Sequence, residues 1–445
     1  MKIFFKNLGE YLGKKVSAKG FVKNLRKTKS ICFLILSDST GDLQVVVDSK
    51  NKFPEFNPHI GSCVCVEGTL VKNDAVKLNG MELIPDHIEV LSSAELYPID
   101  SNSEPSLKQD FRFLVLRENR NRAIFQIQTE AERLMREYWA SKEFIEIHSP
   151  KILGAPSESG AELFELNYFG QKAYLAQSPQ FYKQMAIAAG FDKVFEIGPV
   201  FRAENSNTTR HAAEFTSIDV EFAWIDSHFE IMQFEEDWLR FVLNGVSKNC
   251  SYLMKKNFGI EYSVPQDPFP KMSFTEAIEV LKELGHIIPE GEDLDSEGEK
   301  LLYSYVKEKY NHEFLFLYDY PVSVRPFYHM YHEDNQKLTK SYDLLWKGVE
   351  ITTGAQREHL LIFKIYAHII IIQKYWQYYI KKYWQYYIKK YIINITLIMK
   401  NNKHVKNHMN LRLRIPWLRN ITNRHGNYKI FPKDTSKFFI YSYRK

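Results

Sequence analysis

The stretch FRAENSNTTRHAAEFTSIDVEF, residues 201–222, decides the fold. Apolar runs of strand composition surround charges at two-residue spacing: Arg202 with Glu204, then Asp219 with Glu221. Residues two apart on a strand face the same side, so each pair lines one surface of a sheet. YLAQSPQFYKQM (174–185) and KSYDLLWKGVEITTGAQREH (340–359) add Gln180, Lys183, Asp343, Glu350 and Arg357 in the same manner. A single strand of this kind reads as a solvated face. Three of them predict a sheet surface lined with Arg, Lys, Gln, Asp and Glu, a chemistry suited to holding a polyanion, a cation and a small zwitterion together.

Upstream, AIFQIQTEAERLMREYWASKEF (123–144) places Ile124, Ile127, Ala131, Leu134 and Tyr138 at three- and four-residue steps, which predicts an amphipathic helix. Residues 14–90 instead read as five short β-branched strands separated by turn signals such as Ser39-Thr40-Gly41-Asp42 and Asn79-Gly80. A five-stranded oligonucleotide-binding (OB) barrel fits that count and length. The fold class is therefore α+β, with a barrel at 1–100, a polar hinge at 101–121 containing Pro105, and an α/β unit from 122 to 359.

KKVSAKGFVKNLRKTK (14–29) holds seven basic residues and no acid, a density suited to tracking phosphates. Phe33 and Gln44 begin adjacent apolar strands, where a ring and an amide can stack on and hydrogen-bond an unpaired base. Taken alone, Phe33 reads more readily as core.

With 445 residues, 44% hydrophobic and 25% charged, the chain is expected to be a globular protein of two or more domains. Its four cysteines (Cys32, Cys63, Cys65, Cys250) include no CxxC pair, so Cys63 and Cys65 are expected to be buried thiols. MKIFFKNLGEYLGKK acquires charge too early for a signal peptide, and no apolar run is long enough to span a membrane. A cytoplasmic setting is expected.

The net charge of +5 conceals a division. Residues 1–358 carry 41 basic and 53 acidic residues, a net of −12, whereas 359–445 carry 18 basic residues against Asp434 alone. That tail repeats KYWQYYIK at 374–381 and 382–389 and contains one glycine, Gly426. Its composition matches translated AT-rich or out-of-frame DNA; a basic aromatic RNA-binding tail is the alternative.

FRAENSNTTRHAAEFTSIDVEF resembles motif 2 of class II aminoacyl-tRNA synthetases, and QSPQFYKQ with GAQREH narrows the resemblance to the aspartate-specific branch of archaeal and eukaryotic kind. It runs to about His359 through APSESGAELFEL, LAQSPQFYKQMAIAAGFDKVFEIGPVFRAE and RPFY. SPKIL with Pro150 resembles motif 1, which implies a homodimer. The acidic loop PEGEDLDSEGEKLL (289–302) also resembles the family and is read as a solvated connection.

The resemblance implies ATP-dependent activation of L-aspartate, with Mg2+, and transfer to the 3′ end of tRNA(Asp), with tRNA(Asn) open as a second acceptor. It gives Arg202 the α-phosphate and Phe215 the adenine. Glu204 lies near the adenine and the tRNA end, and Arg210 and His211 near the outer phosphates or acceptor stem. Asp343 and Glu350 match the Mg2+ carboxylates. Lys183 and Arg357 match the grip on the aspartate side chain, with Ser178 and Gln180 beside them and Asp219 and Glu158 facing the ammonium. Phe33 and Gln44 match the pair that reads the middle anticodon base. An asparaginyl-tRNA synthetase is the nearest alternative, but that sister lacks the lysine and differs at GAQR. A non-catalytic RNA-binding synthetase fragment is the other alternative.

The resemblance stops after Glu358. The family continues to motif 3, a Gly-rich strand and helix whose arginine clamps the γ-phosphate; in LRLRIPWLRNITNRHG the single glycine, Gly426, comes after Arg414 and Arg419, so neither has glycines beside it to permit close phosphate approach. The catalytic domain is expected to be incomplete at its C-terminal end, and the chain to be impaired.

Overall fold

A computed structural model describes residues 3–157, 163–203 and 212–359. Glu158, Glu204, Arg210, His211 and the tail from 360, with its missing motif 3, lie outside the described residues.

Alternation builds the barrel. β1 (Lys15–Lys27), β2 (Ile31–Ser37), β3 (Asp42–Asp48), β4 (Cys63–Lys72) and β5 (Met81–Ser92) close in the order β1-β2-β3-β5-β4. Cys32, Leu34, Leu36, Leu43, Val45 and Val47 point inward and are fully buried, so the period of two sends Phe33, Ile35, Gln44 and Val46 to the outer face. β4 bends at Gly68, where an added Cβ would lie 2.0 Å from the Ile84 carbonyl oxygen, so only glycine allows β5 this close. Closure runs through a parallel β3–β5 contact of two residue pairs, Gln44 with Glu82 and Val45 with Leu83.

The segment expected as a hinge folds into two short helices, α1 (Pro105–Asp110) and α2 (Arg112–Val115). The long helix α3 (Asn119–Ser141) follows and starts four residues before the segment expected to be helical, 123–144. Those early residues are held by the barrel: Asn119 donates to Asp42, and Arg122 donates to the Ser37 hydroxyl at 3.1 Å and to the Asp38 carbonyl. Leu134 and Tyr138 are buried as expected, but Ile124 is 50% exposed.

The remaining elements run β6 (Ile145–Glu146), β7 (Ile152–Leu153), β8 (Glu165–Tyr168), β9 (Gln171–Leu175), α4 (Gln180–Ala188), β10 (Lys193–Phe201) and β11 (Glu214–Phe222). Then come α5 (His228–Asn249), α6 (Ser251–Phe258), β12 (Lys271–Ser273), α7 (Phe274–Glu283) and α8 (Ser296–Tyr310). β13 (Phe314–Tyr318), β14 (Ser341–Trp346) and β15 (Glu350–Ala355) follow. They form three sheets, β11-β10-β6, β12-β13-β14-β15 and β7-β9-β8. Trp139 of α3 stacks on Trp238 of α5 at 5.3 Å and lies 4.6 Å from Phe195 of β10, at the centre of a core that reaches Phe314, Phe316 and Leu344. Buried aromatic pairs of this kind add to the area they remove from water. The β11-β10-β6 and β12-β13-β14-β15 sheets are thereby backed by one apolar layer. Among the described residues, no helix is long and apolar enough to cross a membrane.

Candidate active site

The β10–β11 hairpin, paired from Lys193 with Phe222 to Phe201 with Glu214, sets Asp219 and Glu221 on one face. Gln180 and Lys183, expected on a strand, lie instead on α4, which packs on both strands and presents them one helical turn apart and both buried. Lys183 Nζ lies 2.9 Å from Asp219 Oδ1 and 3.6 Å from Glu221 Oε2. Arg357, just past β15, sends Nε to Glu221 Oε1 at 3.2 Å and Nη2 to Gln180 Oε1 at 3.4 Å. Two cations and two carboxylates thus form one cluster. Burial pushes both carboxyls up, but Lys183 and Arg357 outweigh it, and Asp219 and Glu221 end below their ordinary values. Gln180 has its Nε2 buried with no hydrogen-bond partner among the described residues. Ser178 accepts from the Gln180 N–H at 3.2 Å, at the start of the same helix.

The RPFY segment lies along Arg357. Met330 N donates to the Gln356 carbonyl and Glu358 N to the Tyr328 carbonyl, each at 2.9 Å, and the Arg357 guanidinium sits 5.2 Å from the Tyr328 ring centre. This places His329 in the interior. Desolvation, then Arg357, Arg325 and Lys183, hold its pKa well below the ordinary value, so it is a neutral imidazole among cations.

Arg325 reaches the second acidic group. Its Nη2 donates to Asp343 Oδ2, and its guanidinium lies 3.6 Å from the Tyr320 ring centre. Asp343 Oδ1 is buried without a hydrogen-bond partner among the described residues. Glu350, though it keeps exposed surface, has its carboxyl pushed up to about 8 by desolvation and then by the Asp343 charge. An orphaned buried oxygen beside a second, charge-repelled carboxyl is an arrangement that a hard cation completes, so these residues fit Mg2+.

Arg202 follows directly on β10, with its guanidinium 5.4 Å from the ring centre of Phe215 on β11. β10 ends at Phe201, one residue before Arg202, and the strand face expected to be shared with Glu204 lies outside the described residues. In the barrel, Phe33 and Gln44 are diagonal neighbours on the outer face. Arg26 lies 5.9 Å from the Phe33 ring, and Gln44 Nε2 donates to Glu82 Oε2 at 3.0 Å.

The structure therefore joins Gln180, Lys183, Asp219 and Arg357 directly, places Asp343 by Glu350 and Arg202 by Phe215, and keeps Phe33 and Gln44 together on the barrel. Sequence reasoning missed four neighbours as site residues: Glu221, which bridges both cations, Arg325, His329 and Glu82. Arg325 and His329 carried a signal, since they begin and follow RPFY, and Glu221 was visible as the same-face partner of Asp219.

Residues 104–389 match the family of class II tRNA synthetases (D, K and N), and residues 16–91 match the OB-fold nucleic acid binding domain. An aspartate–tRNA(Asp) ligase of Pyrococcus abyssi is 43% identical over 361 residues, covering 79% of this chain and 82% of that protein. An aspartate–tRNA(Asp/Asn) ligase of Aeropyrum pernix is 38% identical over 361 residues, covering 78% and 81%. The asparaginyl-tRNA synthetase of Pyrococcus horikoshii, solved with asparaginyl-adenylate, superposes with a TM-score of 0.75 at 27% identity, covering 84% of this chain and 88% of that one. With an OB-fold barrel ahead of a catalytic unit of this kind, the chain belongs to the class II tRNA synthetases of the D, K and N group.

Proposed function

We propose that this chain activates L-aspartate with ATP and transfers it to the 3′ end of tRNA(Asp). The observation that carries the reading is the buried Lys183–Asp219–Glu221–Arg357 cluster, whose cations are held beside the open Gln180 amide. A side-chain carboxylate entering there meets Lys183 and Arg357; asparagine offers them a neutral amide and leaves buried charge poorly paired. Asp219, with Glu158, faces the substrate ammonium, and Ser178 and Gln180 complete the pocket.

The α-carboxylate of aspartate attacks the α-phosphorus of ATP and pyrophosphate leaves; the 3′-terminal ribose hydroxyl of the tRNA then attacks the activated carbonyl and AMP leaves. The protein's part is positioning and neutralisation of charge. Arg202 takes the α-phosphate, where a planar guanidinium matches two oxygens at once. Phe215 carries the adenine, Glu204 lies near the adenine and the tRNA end, and Arg210 and His211 serve the outer phosphates or acceptor stem. Asp343 and Glu350 would hold Mg2+, which would supply neutralisation of phosphate charge.

Residues 1–100 read the anticodon through Phe33 and Gln44, 101–121 connect, 122–359 carry the chemistry, and 360–445 form the basic tail. The working enzyme is a cytoplasmic homodimer. Whether tRNA(Asn) is also charged is decided by charging both tRNAs side by side; relatives named for either specificity support each outcome.

The test is binding of non-hydrolysable adenylate analogues to the full chain, with aspartate-dependent pyrophosphate exchange alongside. Aspartyl-adenylate analogue is expected to bind at least about 100-fold more tightly than the asparaginyl one. Equal affinity, or the reverse order, rejects the aspartate reading. A chain that binds the analogue but exchanges slowly agrees with the expectation from the tail's sequence.

A further inference from the structure

We infer that His228, Asp319 and His332 form a binding site for a divalent transition-metal ion of the zinc class, distinct from Asp343 and Glu350 and independent of the reading above. Three elements supply it. His228 opens α5 behind the Ser227–Glu230 capping box, Asp319 follows β13 in a left-handed conformation (φ 60°), and His332 lies on the segment returning to β14. One ligand atom from each residue lies within 4.8 Å of the others. Asp319 Oδ1 is the hub, 2.7 Å from His332 Nε2 and 3.3 Å from His228 Nε2. Ligands about 2.0–2.1 Å from a tetrahedral ion stand roughly 3.3 Å from one another, so small side-chain rotations complete the set.

His228 is the observation that points to an ion. Its side chain is 3% exposed; Nδ1 has no hydrogen-bond partner among the described residues, and Nε2 reaches Asp319 Oδ1 at 3.3 Å without hydrogen-bond geometry. Leaving such a buried polar group without a partner is destabilising unless something completes it. A pair of His332 with Asp319 alone leaves His228 Nε2 in reach of Asp319 but poorly bonded; an ion shared by all three takes up one His228 nitrogen. Asp319 and His332 keep about a fifth of their side-chain surface exposed, which leaves an entry path and an open flank for a water as fourth ligand. Two imidazoles and one carboxylate suit zinc, whereas Mg2+ prefers oxygen donors alone. The ion ties the 319–340 segment, with Arg325 and His329, to the start of α5.

The experiment uses the full chain without an affinity tag, stripped by chelator and titrated with Co2+, then with Zn2+ as competitor. About one Co2+ per chain with the intense visible absorption of a four-coordinate site is expected, displaced by Zn2+. Zn2+ should also raise the melting temperature of the stripped chain. His332→Asn, on the exposed flank, should lose the absorption and the Zn2+-dependent stabilisation while keeping the native circular dichroism. Asp319→Asn is the second variant should that one not fold. No visible band in the parent chain, or a band unchanged in the folded variants, overturns the site and places any bound ion elsewhere, such as on the histidines after 359.

Discussion

Asn119 Nδ2 donates to Asp42 Oδ2 at 2.8 Å, so the first residue of α3 and the first residue of barrel strand β3 share one buried carboxylate. Lys23 reaches the same oxygen at 2.8 Å. Desolvation pushes Asp42 up, but Lys23, Ser37 and Asn119 together hold it below its ordinary value. Its stabilisation is therefore complete above the unfolded pKa and fades only in acid, as pH falls through the lower folded value. Asp42→Ala is expected to cost about 1–3 kcal/mol, because Lys23 and Asn119 lose their acceptor. It should lower kcat/KM for tRNA while leaving pyrophosphate exchange near the parent rate; equal losses in both assays would argue against a joint specific to the barrel.

Lys183→Met removes one cation from the cluster and leaves Asp219 and Glu221 facing Arg357 alone. KM for aspartate is expected to rise by about 100-fold, as for loss of a charge-paired contact in a closed site, with KM for ATP nearly unchanged. A parallel rise in both constants would place Lys183 outside the amino-acid pocket.

Glu235 on α5 sits buried against β14 and β15, accepting from the Thr352 hydroxyl, and burial pushes its carboxyl up to about 7 from 4.5. Between those values the folded chain holds a proton that the unfolded chain has lost, so stability falls as pH rises across that window. The shift corresponds to about 3 kcal/mol. Glu235→Gln should match the parent near pH 4 and melt higher above pH 7. A melting-temperature difference that does not grow between pH 4.5 and 7 would reject this assignment.

Phe33→Ala and Gln44→Ala should each reduce kcat/KM for tRNA by about 10-fold or more, since stacking on one base is worth about 1–3 kcal/mol. Amino-acid activation should be untouched. Binding that weakens with salt to the same degree in parent and variants, with no difference in affinity at any salt, would assign tRNA capture to general charge instead.

The barrel was legible because a period of two along β2 and β3 carries its own evidence in Cys32, Leu34, Leu36, Leu43, Val45 and Val47. Gln180 and Lys183, expected on a strand lining the sheet, lie instead one turn apart on helix α4, because the run after Pro179 pairs with no strand and packs its turn onto β10 and β11. The start of α3 was not legible either: Asn119 and Arg122 have no apolar period and are recruited by Ser37, Asp38 and Asp42 more than 70 residues away in sequence. Glu221 showed its face but not its partners, since alternation says which side a side chain leaves and nothing about which helix lies above. His329 owes its position to pairing of the RPFY segment beside Arg357, a contact that no local pattern encodes.

The short parallel seam between β3 and β5 has a consequence for breathing. Four of the barrel's five strand junctions are antiparallel ladders of six or more residue pairs, and the fifth rests on two. Opening therefore begins there, and Gln44 and Glu82 are both at that seam. A nucleotide bound across them acts as a clasp: amide protons of residues 43–46 and 81–84 should exchange fastest in the free barrel and slow most when cognate tRNA is added.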